Sequence, residues 1–492
     1  MERQTGNHSS IRSTSVEPGI PDGISSLSVS RRKRWGVLFI VAFVMMMGYV
    51  FWDIISPLST QLKAPVDEGG MGWTATEYGF YAGSYSIFNI FLLMLFLGGI
   101  ILDRFGIRFT GLLATGVMLL GSAINYYAVT AISPATYANL PFTLFGLIPA
   151  HIKLQVLIAA LGFGLFGMGC DITGITVSKI VTKWFTGHEL ASAMGVQVAM
   201  ARLGTASALS FSPLIALSYG LPAPLLAGAI VLLLGFAMFI LYVFMDRRFD
   251  KAAGGNLAAR VAAPQTQPIK DESFSLSDFM TVLRNPGFWL IAILCMLFYS
   301  SIRPFMKFAT DLLINKYGVA EVTAGLIVSA IPYGTIVLTP FFGNLYDRLG
   351  HGARLMLIGC LLLAVCHLCL ALPIINTSWF ALFLMVLVGV AFSLVPSAMW
   401  PSVPKIVPLR QLGTAYSIIY YIQNIGLMLV PIWVGHVIDD YTAAETGHVD
   451  YFVPILIFAG FALAAAVVAA ILLMADRKHN YGLEQANIRE EG

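Results

Sequence analysis

Apolar residues run along this chain in stretches too long for the alternation of a strand or the stripe of a surface helix, at approximately 35–58, 78–101, 109–129, 154–182, 190–216 and 222–245. After a polar stretch from Asp246 to Asn285 they return at 286–313, 321–344, 354–374, 378–400, 412–437 and 452–474. Gly, Pro or clustered charge breaks each run from the next, and roughly 20 apolar residues are what a helix needs to cross a bilayer. The pattern predicts an all-α membrane protein of twelve transmembrane helices. Its parts are a polar tail over 1–34, a six-helix half over 35–245, a linker over 246–285, a second half over 286–475 and a tail over 476–492.

Composition agrees with lipid as the solvent. Of 492 residues 58% are hydrophobic and 11% charged, against roughly 25% charged in soluble domains. A net charge of +3 gives no footprint for nucleic acid. The five cysteines lie inside apolar runs and read as packing residues, including the Cys366/Cys369 pair, which lacks a second CxxC for a metal. The run that starts at Trp35 continues past the length of a signal-peptide core, so it reads as the first helix.

Charge placement sets the expected orientation. Of the 29 Lys and Arg, Lys63, Lys153 and Lys316 fall on one side and Arg202, Arg303 and Lys307 lie within spans. The others sit in the tails and on the opposite side, so both termini are expected in the cytoplasm.

The chain repeats itself. Gly99-x-x-x-Asp103-Arg104-x-Gly106 after helix two returns 244 residues on as Gly343-x-x-x-Asp347-Arg348-x-Gly350 after helix eight. Leu190 and Gly204 return as Leu412 and Gly426 at an offset of 222, and the difference matches an extra loop near Ser133 to His151. One six-helix unit used twice in parallel is the plan of carriers whose halves rock about a midplane site. In these loops Gly99 would let helices approach. Asp103 would accept from backbone amides at a neighbouring helix N-terminus, and Arg104 or Arg108 would pair with acids in the state closed at that face. Positive charge that only sets topology is the plainer reading of the same residues.

Twelve helices, internal termini, a long central loop and the paired GxxxDRxG loops resemble the major facilitator superfamily over nearly the whole chain. A narrower set is similar to the family of major facilitator superfamily domain-containing protein 1. It comprises Gly98 to Arg108, Trp184 to Leu190 with Gly187 and Glu189, Met200-Ala-Arg202-Leu-Gly204, Trp400-Pro401, Gln411 to Tyr416, and Ile422-Gln423-Asn424-Ile-Gly426. That resemblance implies alternating-access transport of dipeptides, facilitative in the lysosomal members, which also have an accessory membrane glycoprotein as partner. No cofactor is expected, and the carrier is expected to work as a monomer. Without a dileucine sorting signal in the N-terminal tail, a cell membrane is the expected location, or the lysosomal membrane if the source is eukaryotic.

Ionisable residues in the bilayer are the candidates for chemistry, because each needs a partner or a wet cavity. Asp171 in helix four and Arg202 in helix five lie equally deep, roughly 18 Å from the inner ends of their helices. They are expected to pair when the site is empty and to separate around a zwitterion, Arg202 taking the α-carboxylate and Asp171 the ammonium. A permanent salt bridge is the alternative. In the resembled family an acid and an arginine on these helices contact the peptide termini, and the acid is often Glu there. Asn424 and Gln423 are expected on the opposite wall, reading the peptide bond or gluing helices together. Tyr416 and Trp400 would hold side chains or simply pack. Asp53, before Pro57, is open to three roles: binding an amine, carrying a proton, or facing an outer vestibule. Arg303, Lys307 and Asp311 share one face of helix seven, where they would snorkel outward, or where Arg303 with Pro304 would mark a broken, gating helix.

Gly162-Phe-Gly164-Leu-Phe-Gly167 fits GxGxxG but lies within an apolar span without a preceding strand, so close helix packing explains it better than a nucleotide. No HExxH, GxSxG or P-loop occurs, which argues against an enzyme. Besides facilitated dipeptide transport, a proton-coupled amino-acid or organic-anion porter using Asp171 or Asp53, and a transport-dead sensor or scaffold, remain as readings.

Overall fold

A computed structural model describes residues 30–140, 143, 149–185, 189–252, 282–372, 375–408, 411–443 and 449–486. The N-terminal tail before residue 30, most of the central linker, Gly187, Arg410 and the last six residues lie outside that set.

Eleven helices among the described residues are long and apolar enough to cross a membrane. The twelfth crossing is span two, which is broken into Ala75–Ser84, Ile87–Phe91 and the opening of Met94–Ala131. The last of these helices doubles back at Gly106, whose φ of 77° and ψ of 171° are not helical, and its remainder is span three. The others are span one (Arg31–Asp53), four (Leu154–Phe185), five (Leu190–Tyr219), six (Ala223–Ala252), seven (Pro286–Tyr317), eight (Glu321–Leu349), nine (Gly352–Ala371), ten (Ser378–Ile406), eleven (Leu412–Asp440) and twelve (Phe452–His479).

Local chemistry sets several ends. Thr74 and Glu77 form a capping box at the start of span two. Asn285, followed by Pro286, caps span seven, and Gly318 closes it in the left-handed conformation. The extra loop forms a small antiparallel pair, Tyr137–Asn139 with His151–Lys153, a departure from the all-helical expectation. Lys153 fastens it to span two through Glu77, 3.2 Å from its Nζ.

The packing shows the repeat. Span one lies against five and six as seven lies against eleven and twelve, and span three lies against four and six as nine lies against ten and twelve. The halves meet through span two against eleven and span five against eight. The GxGxxG glycines pack as the sequence suggests: a Cβ at Gly162 would stand 2.7 Å from the Gly121 carbonyl oxygen, and one at Gly167 2.2 Å from that of Tyr85.

The halves are tied together on the face opposite the chain ends. Asp439 of span eleven accepts from the Ala75 and Thr76 amides at 2.8 and 2.7 Å, capping span two across the half boundary. Gly79 and Gly435 bring those spans together, where a Cβ would come within 2.2 Å of the Pro431 carbonyl and 2.3 Å of the Ala75 carbonyl. Gln61 donates to Glu321 between the halves. On the other face, by contrast, a Cβ at Gly99, Gly195, Gly343 or Gly413 would meet open space. This is the conformation closed at the face opposite the termini.

Candidate functional site

The break in span two builds the centre. Ser84 donates to the Tyr81 carbonyl at 2.7 Å, and the helix stops there. The hydroxyl competes for a backbone acceptor, and the interruption turns Tyr85, Ser86 and Asn89 toward the bundle axis. The sequence reading ran one helix through this stretch and missed all three. Asp171 accepts from the Tyr85 hydroxyl at 2.7 Å and from Asn89 Nδ2 at 2.6 Å. Tyr85 in turn stacks on Trp52, centroids 4.1 Å apart and planes 5° from parallel.

Asp171 and Arg202 do not form the expected pair. Spans four and five are joined by a short loop, yet span five packs chiefly against one and eight, so the two residues point from different walls. Arg202 lies over the Phe392 ring at 4.4 Å, and its buried Nη1 has no hydrogen-bond partner. A buried guanidinium N–H without an acceptor is costly unless a ligand or water supplies one. Nothing in the spacing pointed to Phe392, which arrives from span ten of the other half.

Asn424 accepts from Ser86 Oγ at 2.6 Å, donates to the Tyr420 carbonyl at 3.0 Å, and so reaches the centre from span eleven. Gln423 does not share its wall. It is buried with Oε1 3.7 Å from the Cys295 sulfur of span seven, because consecutive helical residues differ by about 100° in direction. Trp400 stacks against Tyr420 at 5.1 Å, and Tyr416 donates to the Trp400 carbonyl at 3.3 Å. Tyr420 remains 41% exposed, so this aromatic group has a face on the open side.

Asp53 does not face a vestibule: it is 2% exposed. It accepts from Lys307 Nζ at 2.8 Å and Thr205 Oγ1 at 2.9 Å, with Arg303 3.8 Å away. Lys307 also donates to the Trp52 carbonyl at 2.7 Å and to Ser56 Oγ at 3.0 Å. Nor does Lys307 snorkel, since the opposite half supplies its acceptors. Asp311, beyond it, is held by Thr60, Lys63 and Tyr451. Span seven continues through Pro304 without a break, which removes the basis for a proline-hinged gate. Trp52, Asp53, Tyr85, Ser86, Arg303 and Lys307 border a cavity of about 20 Å³, room for roughly one water.

At the terminal face Asp103 pairs with Lys179 of its own half at 2.5 Å rather than with backbone amides, and side-chain exposures of 74% and 48% make that pair weak. The helix N-terminus is capped on the far face instead, by Asp439. Arg108 reaches Asp246 at 2.6 Å and Lys183 reaches the same carboxylate at 2.8 Å, again within the first half. Arg104 lies over Phe105 at 5.6 Å. In the second copy Asp347 is half-buried and Arg348 exposed. Gly350, with φ 70°, turns as Gly106 does. Between spans four and five, Glu189 bonds its own backbone and pairs with Arg31 at 3.2 Å and Arg34 at 3.5 Å, which holds its carboxyl below the ordinary range.

Comparison with known proteins places the fold. The chain is 27% identical over 435 residues to the lysosomal dipeptide transporter MFSD1 of Homo sapiens, covering 86% of this chain and 84% of that one. To the Danio rerio protein of the same name it is 29% identical over 414 residues, covering 82% and 80%. Among solved structures the D-xylose–proton symporter superposes with a TM-score of 0.65 at 14% identity, covering 88% of this chain and 97% of that one. The nucleoside transporter NupG gives 0.58 at 16%, covering 89% and 99%. The family model of the Major Facilitator Superfamily matches residues 136–310 and 308–487. The chain is therefore a multi-pass membrane transporter of the Major Facilitator Superfamily.

Proposed function

We propose that this protein carries dipeptides and similar small zwitterions by facilitated alternating access. The observation that carries the proposal is the Arg202 Nη1 in the middle of the bundle, a buried cationic donor to which the protein offers no acceptor. A peptide α-carboxylate supplies two oxygens to that guanidinium. Asp171, whose two bonded donors are neutral, takes the ammonium, and Asn424 supplies an amide for the peptide link. The dipeptide transporters among the relatives support the substrate class. Both termini lie in the cytoplasm in this reading, so the conformation described is open to the cytoplasm. The membrane is that of the cell, or of the lysosome if the source is eukaryotic.

A proton-coupled mechanism is the second reading, and Asp171 favours it: a buried carboxylate bonded by neutral donors can trade its charge for a proton. Uptake of labelled Ala-Ala into proteoliposomes, with and without a proton gradient, separates the two. Gradient-independent flux that Arg202→Ala abolishes supports facilitated transport. Gradient-driven flux that Asp171→Asn uncouples supports the second reading, and no flux from well-folded native protein refutes the substrate.

A further inference from the structure

The centre of the bundle holds one more cation than a zwitterion needs. Arg303 projects from span seven with its guanidinium 4.7 Å from the centroid of the Trp52 ring, 5.9 Å from that of Tyr49 and 5.5 Å from that of Phe392. Arg202 lies over the same Phe392 at 4.4 Å, so two guanidinium groups share one ring. Arg303 has a long ion pair with Asp53, 3.8 Å, outside hydrogen-bond range. The near positions on that carboxylate belong to Lys307 at 2.8 Å and Thr205 at 2.9 Å.

At this level Arg202, Arg303 and Lys307 face two carboxylates, Asp53 and Asp171, within walls made of Tyr49, Trp52, Tyr85 and Phe392. A desolvated, aromatic-lined site with an excess positive charge favours an occupant that restores neutrality. A zwitterionic peptide leaves the excess in place, a basic peptide adds to it, and a peptide with one acidic side chain removes it.

We infer that Arg303 is a specificity-determining residue of the substrate site and that the site prefers dipeptides of net negative charge. Arg202 and Arg303 divide the α-carboxylate and the acidic side chain between them, while Asp171 holds the ammonium. The inference rests on the dipeptide reading above. It also gives a role to a residue that the broken-helix reading would have made only a hinge.

The test is binding of Ala-Glu, Ala-Ala and Ala-Lys to the purified full chain, followed by thermal shift and by competition for Ala-Ala counterflow. Ala-Glu should bind about 10-fold tighter than Ala-Ala, the scale of one added charge-assisted contact, and Ala-Lys weakest. Arg303→Gln should bring Ala-Glu and Ala-Ala within about 2-fold of each other while Ala-Ala still binds, and Arg303→Lys should keep part of the preference. Asp53→Asn, which deepens the positive excess, should widen it. Equal affinities in the native protein, or an acidic preference that survives Arg303→Gln, overturn the inference. Ala-Ala binding without any acidic preference defeats this inference alone, whereas no binding of any of the three defeats the dipeptide reading with it.

Discussion

Asp53 sits where the halves lock, and its removal should open the face opposite the termini. Lys307 has three acceptors there: Asp53 Oδ1 at 2.8 Å, the Trp52 carbonyl at 2.7 Å and Ser56 Oγ at 3.0 Å. Its side chain is 10% exposed and that of Asp53 3%. Removing one member of a buried ion pair costs about 3–5 kcal/mol, because the other is left charged in a low dielectric. Asp53→Asn is the harsher change, since it leaves both Lys307 and Arg303 uncompensated. Lys307→Met leaves Asp53 with Arg303 at 3.8 Å and Thr205 at 2.9 Å. The cost falls on the conformation in which spans one and seven meet, so about 3 kcal/mol moves the balance between conformations by roughly 100-fold. Spin labels at Glu68 and Thr323, exposed residues of the two halves on that face, report it as a lengthened distance. The order of lengthening should be Asp53→Asn, then Lys307→Met, then native protein, and the double substitution should recover thermal stability relative to Asp53→Asn. An unchanged distance in Asp53→Asn, or a larger effect of Lys307→Met, would refute the reasoning.

Gly79→Val places a side chain where even a Cβ would stand 2.2 Å from the Pro431 carbonyl, so it should keep spans two and eleven apart and raise the labelling of cysteines placed at that interface. Asp246→Ala takes a shared acceptor from Arg108 and Lys183, whose side chains are 31% and 24% exposed, and a thermal melt should show a loss of about 1–2 kcal/mol. Gly350→Ala should cost more than Gly106→Ala: both carry positive φ, but a Cβ at Gly350 would also come within 2.6 Å of backbone atoms of residues 484–486, so tail proteolysis should rise only there. Glu189, held below the ordinary carboxylate range by its own backbone and by Arg31 and Arg34, binds fewer protons folded than unfolded. Its contribution is present at neutral pH and lost as pH falls through the acidic range, so Glu189→Gln should flatten a shallow acid limb of stability measured between pH 3 and roughly 6.

The spans were legible because a bilayer demands long apolar helices, and the runs at 154–182 and 412–437 appear as Leu154–Phe185 and Leu412–Asp440 with only their ends extended. The repeat was legible too, since Gly106 and Gly350 turn alike. Asp171 and Arg202 stood out by cost alone. Their partners did not. Tyr85 and Asn89 become ligands of Asp171 only because span two breaks beside them, and a break without proline leaves no strong mark in an apolar run. Phe392 and Lys307 reach across from the second half, and sequence distance says nothing about which walls face each other. Gln423 failed for a simpler reason, since adjacency to Asn424 in a helix means a different face.

Trp52 ties the lock to the site. Its carbonyl accepts from Lys307, its ring stacks on the Tyr85 that bonds Asp171, and the Arg303 guanidinium lies against it. A ligand shifts a conformational balance only by the difference in its affinity for the two states. Asp171 is bonded by Tyr85 and Asn89 of its own half and by Asn424 of the other, all neutral, so the movement of the halves changes only a neutral contact to it. Arg303 is different, because the same guanidinium pairs at 3.8 Å with a carboxylate of the lock and borders the central cavity, and it belongs to the half opposite Asp171 and Arg202. An anion that draws Arg303 inward weakens its hold on Asp53 and leaves Lys307 as the lock's main cation. Opening of the far face should therefore respond to the ligand's negative end, with its ammonium contributing affinity and little direction.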